Sequence, residues 1–285
     1  MATSKRFISF ISRIFSYYVQ SNIHVSISAG ALVLITGLYF NVDMTYSAFF
    51  ISLSTCFSYN MIRYLKSKNE LLKPEIQKWF DENLKGLLVL NGVVLLLLID
   101  CVLKMRLEEL FFILPFALCT LFYMLPTVRV FRKKVFLRNV PGLKIFLIAV
   151  AWAGLTTLYP FYHNSLPIGL NEWLVFISRF LFVIVLTIPF DIRDLDFDSQ
   201  DIRTIPKILG IRNTKFLSII LLICSLLLSS IYLSIGFLFI ESIVAVILMV
   251  LVLKSTANQS KYYASFWVEG VPIIWWGILV VFESF

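Results

Sequence analysis

The segment Pro189-Phe190-Asp191-Ile192-Arg193-Asp194-Leu195-Asp196-Phe197-Asp198-Ser199-Gln200-Asp201 places five carboxylates directly after a long apolar run. If a helix continues through it, Asp191, Asp194 and Asp198 lie within roughly 60° of one another on one face. Carboxylates gathered on one face repel, and a bound cation offsets that repulsion. Oxygen ligands favour Mg²⁺, which prefers one or two carboxylates plus the oxygens of a substrate phosphate. The segment therefore predicts a magnesium site at these three aspartates.

The same segment has a second interpretation, in which it is a solvated, charged loop that ends the helix. Arg193 and Arg203 would then neutralise the carboxylates and no metal would bind. Spacing alone leaves both interpretations open.

The composition predicts a membrane protein. Hydrophobic residues make up 59% of the chain, charged residues 15%, and the mean hydropathy is +0.88. A soluble domain has about 25% charged residues, so the expected fold class is all-α, a polytopic membrane helical bundle. No Gly/Ser-rich linker or low-complexity tract divides the chain, and residues 1–285 are therefore predicted to form a single integral-membrane domain.

The apolar runs and the charged breaks between them give about nine transmembrane helices, because a helix needs about twenty residues to cross about 30 Å of hydrocarbon. The division between the seventh and eighth spans rests on a weak break of serines and a glycine. The predicted spans are 23–41, 45–65, 84–103, 108–128, 142–162, 171–190, 214–234, 235–253 and 262–283.

The basic residues predict the orientation of these spans. On this segmentation, 22 of the 25 Lys and Arg residues fall on one side of the membrane. Loops rich in Lys and Arg stay in the cytoplasm, so we expect a cytoplasmic N-terminus and a C-terminus on the outer side, in the plasma (inner) membrane. The net charge of +8 reflects this bias and attraction to anionic headgroups, and no nucleic-acid partner is expected.

The inner loops also carry a pool of cations on the same face as the aspartates. A diphosphate needs such an arrangement, because Mg²⁺ bridges phosphate to Asp while Lys and Arg neutralise the remaining oxygens. Flanking charge that merely orients the helices is the alternative explanation for any single basic residue. The basic residues that bear on the site are Arg63, Lys66, Lys68, Arg138, Lys144 and Arg203.

The carboxylate run and the block that follows it, Arg203-Thr204-Ile205-Pro206-Lys207-Ile208-Leu209-Gly210, resemble the second aspartate-rich motif of the UbiA superfamily of intramembrane prenyltransferases. In that family an Asp-x-x-Asp-x-x-x-Asp run precedes a Thr-Leu-Pro-x-x-x-Gly type segment. The resemblance implies transfer of an isoprenoid from a prenyl diphosphate to a lipophilic acceptor within the bilayer. It further implies that Asp191, Asp194 and Asp198 are catalytic and hold Mg²⁺, with Arg138, Lys144 and Arg203 contacting phosphate.

The sequence departs from this family at the first aspartate-rich motif, commonly Asn-x-x-x-Asp-x-x-x-Asp at the end of the second span. Asn60 stands at the Asn position, but Tyr64 and Lys68 occupy the two Asp positions. A site that loses both carboxylates and gains a Lys does not bind Mg²⁺ in the same way. Either fixed cations such as Lys68 and Arg63 replace the second metal ion, with Asn60 and Tyr64 also facing substrate, or the diphosphate site is lost.

These alternatives give two leading functions, a Mg²⁺-dependent prenyltransferase and a catalytically inactive UbiA-like membrane protein that binds a polyprenyl lipid or acts as a partner or scaffold. A transporter is a third class, without an internal repeat of broken helices to support it. Charges inside spans are paired or functional, and we expect Arg179 and Glu269 to meet across the bundle, with Glu241 near an interface. His163 is expected to face headgroup water at the outer boundary.

Overall fold

The computed structural model describes residues 2–69, 72–124, 128–130, 133–135, 142–195 and 204–284. Side chains are described within these ranges from residue 10 onward, apart from residues 123 to 135. The first half of the chain contains α1 (Ala2–Gln20), α2 (Ile23–Phe40), α3 (Thr45–Lys68), α4 (Pro74–Lys104) and α5 (Leu107–Met124), followed by the short antiparallel hairpin β1 (Val128–Val130) and β2 (Lys133–Val135).

The second half contains two spans that each include a π-helical segment. α6 (Leu143–Ala153) continues through the first π-helix (Gly154–Leu158) into α7 (Tyr159–His163), and the second π-helix (Tyr263–Val268) leads into α11 (Val271–Glu283). Between them lie α8 (Leu170–Arg193), α9 (Ile205–Tyr232) and α10 (Ile235–Lys254).

The predicted membrane bundle is confirmed. Within the described residues, seven helices are long and apolar enough to cross a membrane: Ile23–Phe40, Pro74–Lys104, Leu143–His163, Leu170–Arg193, Ile205–Tyr232, Ile235–Lys254 and Tyr263–Glu283. The two remaining predicted spans, 45–65 and 108–128, coincide with the helices α3 and α5. The weak break between the seventh and eighth spans is real, because α9 ends at Tyr232 and Ser234 caps α10 by accepting a hydrogen bond from the N–H of Phe237.

Two apolar clusters fill the bundle. One joins α8, α9, α10 and α11 to one face of α2, with Leu32 and Ile188 fully buried. The other joins α3, α4 and α7 to the opposite face of α2, through Val33. Since α2 contributes to both clusters and Trp152 of α6 packs against both, the two halves of the chain share one helical core. Outward-facing leucines of α4 remain exposed, as hydrocarbon contact requires.

A polar network inside the membrane links five helices around Arg179. Its guanidinium donates from Nη1 to the carbonyl of Leu32 at 2.9 Å and lies 5.2 Å from the centre of the Trp275 ring. Glu241 interacts electrostatically with Arg179 and accepts a hydrogen bond of 2.7 Å from Ser229. Buried charges need such partners, because a charge left alone in a core is strongly destabilising.

Two expectations about these charges are therefore wrong. Glu241 is not near a wet interface, since only 5% of it is exposed. Glu269 does not pair with Arg179; its electrostatic partners are Arg63 and Arg193 at the opposite end of α8. The position of a charge along its span does not determine its partner, because the rotation of each helix decides which neighbours its side chains meet.

A second buried carboxylate lies where α5 begins, at the end of the bundle that is predicted to face outward. Glu109, 2% exposed, accepts a hydrogen bond of 2.9 Å from Nε of Arg106 and lies 2.7 Å from Nδ1 of His163. The imidazole of His163 also stacks on the ring of Tyr46 with a centroid distance of 4.7 Å. His163 therefore ties α7 to α5 and α3, and the expectation that it faces headgroup water is wrong.

Gly210 allows α9 to begin at the boundary and then change direction. Its backbone has φ of 76° and ψ of 158°, so α9 is two helical pieces joined by a kink. This conformation is in the range that favours glycine, and it explains the terminal glycine of the Thr204–Gly210 block. The carbonyl of Gly210 accepts a hydrogen bond of 2.8 Å from the hydroxyl of Thr214, which fixes the start of the second piece.

Replacing Gly210 with alanine is expected to destabilise the protein by about 1 kcal/mol or more, because a Cβ strains this backbone conformation. Thermal unfolding of the purified full chain in detergent measures the effect. Gly277→Ala is the matched control, since a Cβ there meets open space and Gly277 has no positive φ. Equal unfolding temperatures for Gly210→Ala and the unaltered protein would contradict the role given to the kink.

Candidate functional site

The C-terminal end of α8, which is predicted to face the cytoplasm and is called here its inner end, carries a deeply buried carboxylate. Asp191 is 1% exposed, and its Oδ1 accepts a hydrogen bond of 2.9 Å from the ammonium of Lys144. Lys144 is the second residue of α6, whose first turn begins after Gly142 with φ of 68°. The ion pair offsets part of the cost of burying the carboxylate. The other oxygen, Oδ2, is buried and has no hydrogen-bond partner among the described residues.

Asp194 is the residue that ends α8. It has φ of −93° and ψ of 3°, and its oxygens accept hydrogen bonds from Nε and Nη2 of Arg193 at 3.0 and 2.9 Å. Lys73, which directly precedes α4, donates to Asp194 Oδ1 at 3.1 Å. Since the helix does not continue through Asp194, the premise that placed it on one helical face with Asp191 is wrong. Asp198 lies outside the described residues.

The environment of Asp194 favours its charged form. Burial acts to raise the pKa of this carboxyl, but the hydrogen bonds and charges of Arg193 and Lys73 outweigh burial and lower the pKa below its usual value. Asp194 is therefore an ionised carboxylate at neutral pH, which is the form that binds a metal ion.

The two described carboxylates retain capacity for a cation. A carboxylate has about four acceptor positions, and Asp191 uses one of them while Asp194 uses three. No group of three or more His, Cys, Asp or Glu side chains within the described residues is placed to hold a metal. Mg²⁺ takes one or two carboxylates and completes its shell with water and phosphate oxygens, so the donor chemistry of Asp191 and Asp194 fits this ion.

Asn60 and Arg63 hold the turn between α1 and α2. The amide of Asn60 accepts a hydrogen bond of 2.7 Å from Asn22 and donates one of 2.9 Å to the carbonyl of Ser21. Nη2 of Arg63 donates to Oδ1 of Asn22 at 3.0 Å. Asn22 has φ of 61°, so these contacts stabilise a left-handed turn residue. Asn60 is thus occupied by a structural role in this structure, whereas Arg63 has donors to spare.

Tyr64 and Lys68 lie on the side of α3 that faces α4. The ammonium of Lys68 is 5.7 Å from the centre of the Tyr64 ring, and both residues line an open cavity of about 540 Å³. Of the residues that the structure describes, neither Asp191 nor Asp194 lines this cavity. Its lining consists of Tyr64, Ser67, Lys68, Leu72, Pro74, Gln77, Phe80, Asp81 and Leu84.

The remaining predicted phosphate contacts, Arg138 and Arg203, lie outside the described residues. Lys73 was not predicted as a partner of Asp194, and Glu269 was predicted to pair with Arg179, which is the wrong arginine. Lys73 belongs to a loop rich in basic residues, so its position before a Pro-initiated helix was the only signal. Glu269 gave a clear signal as a carboxylate inside a span, but nothing in the sequence identified its neighbours.

Comparison with known proteins shows the fold. No family model matches the sequence, and no curated protein matches it. Among solved structures, a UbiA homolog from Aeropyrum pernix K1 in its apo form matches with a TM-score of 0.65 and 13% identity, covering 92% of this chain and 98% of that one. A digeranylgeranylglyceryl phosphate synthase matches with a TM-score of 0.54 and 15% identity, over 96% and 98% of the two chains. The chain therefore shares the fold of these two solved structures.

The charge on Asp194 makes the stability of this end of α8 depend on pH. Because the pKa of Asp194 is lowered by folding, ionised Asp194 stabilises the protein above its unfolded pKa of about 3.9, and this contribution is lost as the pH falls through the folded pKa. We expect Asp194→Asn to lower the unfolding temperature at pH 7, and the difference from the unaltered protein to shrink as the pH falls below about 3.9.

Thermal unfolding measured at each pH from 7 to 3 tests this expectation. Asp81→Asn is the control, because Asp81 is exposed and accepts a hydrogen bond from Gln77 without a cationic partner among the described residues. A difference between Asp194→Asn and the unaltered protein that stays constant over this pH range would contradict the assigned ion pairs.

Proposed function

We propose that this protein transfers an isoprenoid from a prenyl diphosphate to a lipophilic acceptor within the membrane, with Mg²⁺ as cofactor. The observation that carries the proposal is the pair of carboxylates at the inner end of α8, each held by a lysine from another part of the chain. The UbiA-superfamily fold supports it, since one matching structure is that of a digeranylgeranylglyceryl phosphate synthase.

The proposed reaction breaks the bond between the allylic carbon and the diphosphate oxygen, and its electron pair leaves with the diphosphate. A nucleophilic atom of the acceptor then bonds to the allylic carbon and loses a proton. The negative charge that accumulates on the diphosphate is the main obstacle, and fixed cations aimed at it lower the barrier. When bound, Mg²⁺ would act as a Lewis acid toward the diphosphate oxygens.

In the proposed site, carboxylates bind the metal ion and cationic side chains contact the phosphate oxygens. Asp191 and Asp194 would hold the metal ion through their remaining acceptor positions, joined by Asp198 on the resemblance. Lys144 and Lys73 already touch these carboxylates at 2.9 and 3.1 Å, so their ammonium groups stand beside the proposed metal position. A cation at that distance can also donate to a phosphate oxygen. Arg138 and Arg203 are proposed phosphate contacts on the resemblance alone.

The membrane setting is part of the proposal. With the N-terminus in the cytoplasm, the inner end of α8 opens to the compartment that contains Mg²⁺ and phosphorylated metabolites. The isoprenoid chain and the acceptor would lie among the apolar helices of the bundle, where water is excluded and the carbocation is not quenched. The plasma (inner) membrane is the proposed location.

A catalytically inactive protein with the same fold is the second candidate. The observation that favours it is the orientation of Tyr64 and Lys68, the two positions that carry carboxylates in the resemblance, toward a cavity against α4. Such a protein would bind a polyprenyl lipid or a partner without turnover.

Turnover of radiolabelled prenyl diphosphates by the purified full chain tests the proposal, with chain lengths and lipophilic acceptors varied. We expect Mg²⁺-dependent product formation that falls by at least about 100-fold in Asp194→Asn, because the substitution removes a proposed ligand of the metal ion that would stabilise the leaving diphosphate. Asp100→Asn, an exposed carboxylate near the other end of α4, is the control and should retain full activity.

Absence of turnover across all chain lengths and acceptors, in protein whose unfolding temperature shows it to be folded, would overturn the enzyme and favour the inactive candidate. Turnover that is indifferent to chelation of divalent ions or to Asp194→Asn would overturn the assigned site.

A further inference from the structure

Two arginines near the C-terminal ends of different helices lie within electrostatic range of each other. Arg63 of α3 and Arg193, the last residue of α8, interact electrostatically, and both interact with the carboxylate of Glu269. Like charges in a partly dry environment repel strongly unless an anion lies between them. The residues Arg63, Arg193 and Glu269 are called here the arginine pair and its carboxylate. Arg193 is paired with Asp194 at 2.9 Å, whereas Arg63 has no carboxylate within 4.0 Å among the described residues, so Arg63 is the member that lacks an anion.

Glu269 does not fully supply that anion. Its carboxylate makes no hydrogen bond and no ion pair within 4.0 Å with any side chain that the structure describes, although it is only partly exposed and sits inside a span. Its position follows from the second π-helix, in which the N–H of Glu269 donates to the carbonyl of Ala264 at 3.0 Å. A π-helical turn rotates the residues that follow it, and such turns are frequent at functional sites.

The two guanidinium groups are held in place but not saturated. Arg63 is fixed through Nη2 by Asn22, while its Nη1 is buried and has no acceptor among the described residues. Arg193 is fixed by Asp194 and lies 5.1 Å from the centre of the Phe190 ring. A buried guanidinium donor without an acceptor is unusual, because its desolvation is not compensated. An anionic oxygen would satisfy this donor and also balance the charge of the guanidinium.

We propose that the arginine pair binds a phosphate group and that Glu269 is a resident counter-charge which competes with it. The inference rests on the proposed function and deepens it: the phosphate is one end of the prenyl diphosphate, whose other end faces Asp191 and Asp194. Fixed guanidinium charges then replace the second metal ion that Tyr64 and Lys68 no longer support. Glu269 limits repulsion between the arginines when the ligand is absent and weakens ligand binding when it arrives.

This arrangement predicts effects of opposite sign for two substitutions in one cluster. Arg63→Gln removes a guanidinium donor and should weaken anion binding by about tenfold or more. Glu269→Gln keeps the shape of the side chain, removes its charge, and should tighten anion binding by at least about threefold. A merely structural role for Glu269 predicts weaker binding or no change.

Calorimetric titration of the purified full chain with inorganic pyrophosphate, in the presence of Mg²⁺, is the test. Glu241→Gln is the matched control, because Glu241 is a buried membrane carboxylate near Arg179 and away from the arginine pair, and it should leave affinity unchanged. Arg63→Lys and Glu269→Asp are the conservative variants, and each should lie closer to the unaltered protein than its neutral counterpart. Unfolding temperatures verify that each variant is folded.

A second arm distinguishes the source of the phosphate. The titration is repeated in nanodiscs with phosphatidic acid or, at matched surface charge, phosphatidylserine. Equal pyrophosphate affinity in both assigns the position to the isoprenoid diphosphate, whereas loss of affinity only with phosphatidic acid assigns it to a lipid phosphate monoester and overturns the diphosphate assignment.

The outcomes separate this inference from the proposed function. Unchanged or weakened pyrophosphate binding in Glu269→Gln overturns the counter-charge role even when Asp194→Asn abolishes Mg²⁺-dependent binding. Binding that is unaffected by Asp194→Asn, but responds to Arg63→Gln and Glu269→Gln as predicted, overturns the metal site and leaves the arginine position standing. Absence of pyrophosphate binding to the folded, unaltered protein overturns both.

Discussion

A carboxylate buried at a membrane boundary must have a cation against it, and the contact between Asp191 and Lys144 meets that requirement. It joins the last turn of α8 to the first turn of α6. The contact between Asp194 and Lys73 does the same one turn later and joins the end of α8 to the start of α4. These two ion pairs join three helices at the C-terminal end of α8, and they place two carboxylates beside two ammonium groups. The proposed chemistry needs both kinds of charge.

Polar groups inside the bundle are divided between its two ends. Arg179, which lies within α8 and away from its C-terminal end, interacts with a carbonyl, an aromatic ring and a nearby carboxylate. This network therefore stabilises helix packing and has little capacity for a ligand. At the inner end, Arg63 keeps a buried donor and Asp191 a buried acceptor without partners among the described residues. They are the charged side chains of the described residues that have a buried atom without a hydrogen-bond partner. Buried charged groups with such unsatisfied atoms are typical of a binding site. The inner end is therefore where ligand chemistry is expected.

The sequence was sufficient for the architecture because membrane spans are long apolar runs that charged residues interrupt, a local signal. The break at Ser234 was readable for the same reason. The site was less predictable, because its contacts join distant segments: whether Glu269 meets Arg179 or Arg63 depends on helix rotation. The end of α8 at Arg193 also decided where Asp194 points, and helix boundaries are poorly defined by sequence. Lys144 was expected to contact phosphate, and in the structure it contacts Asp191, a proposed metal ligand.

The central claim is that the carboxylates at the end of α8 hold a single divalent cation together with a pyrophosphate group. Electron paramagnetic resonance of Mn²⁺, a spectroscopic substitute for Mg²⁺, tests it directly in the purified full chain with pyrophosphate present. The account predicts one bound Mn²⁺ per chain, coupled to phosphorus, and loss of that signal in Asp191→Asn. A bound Mn²⁺ that survives this substitution, two bound ions per chain, or no bound ion would contradict it.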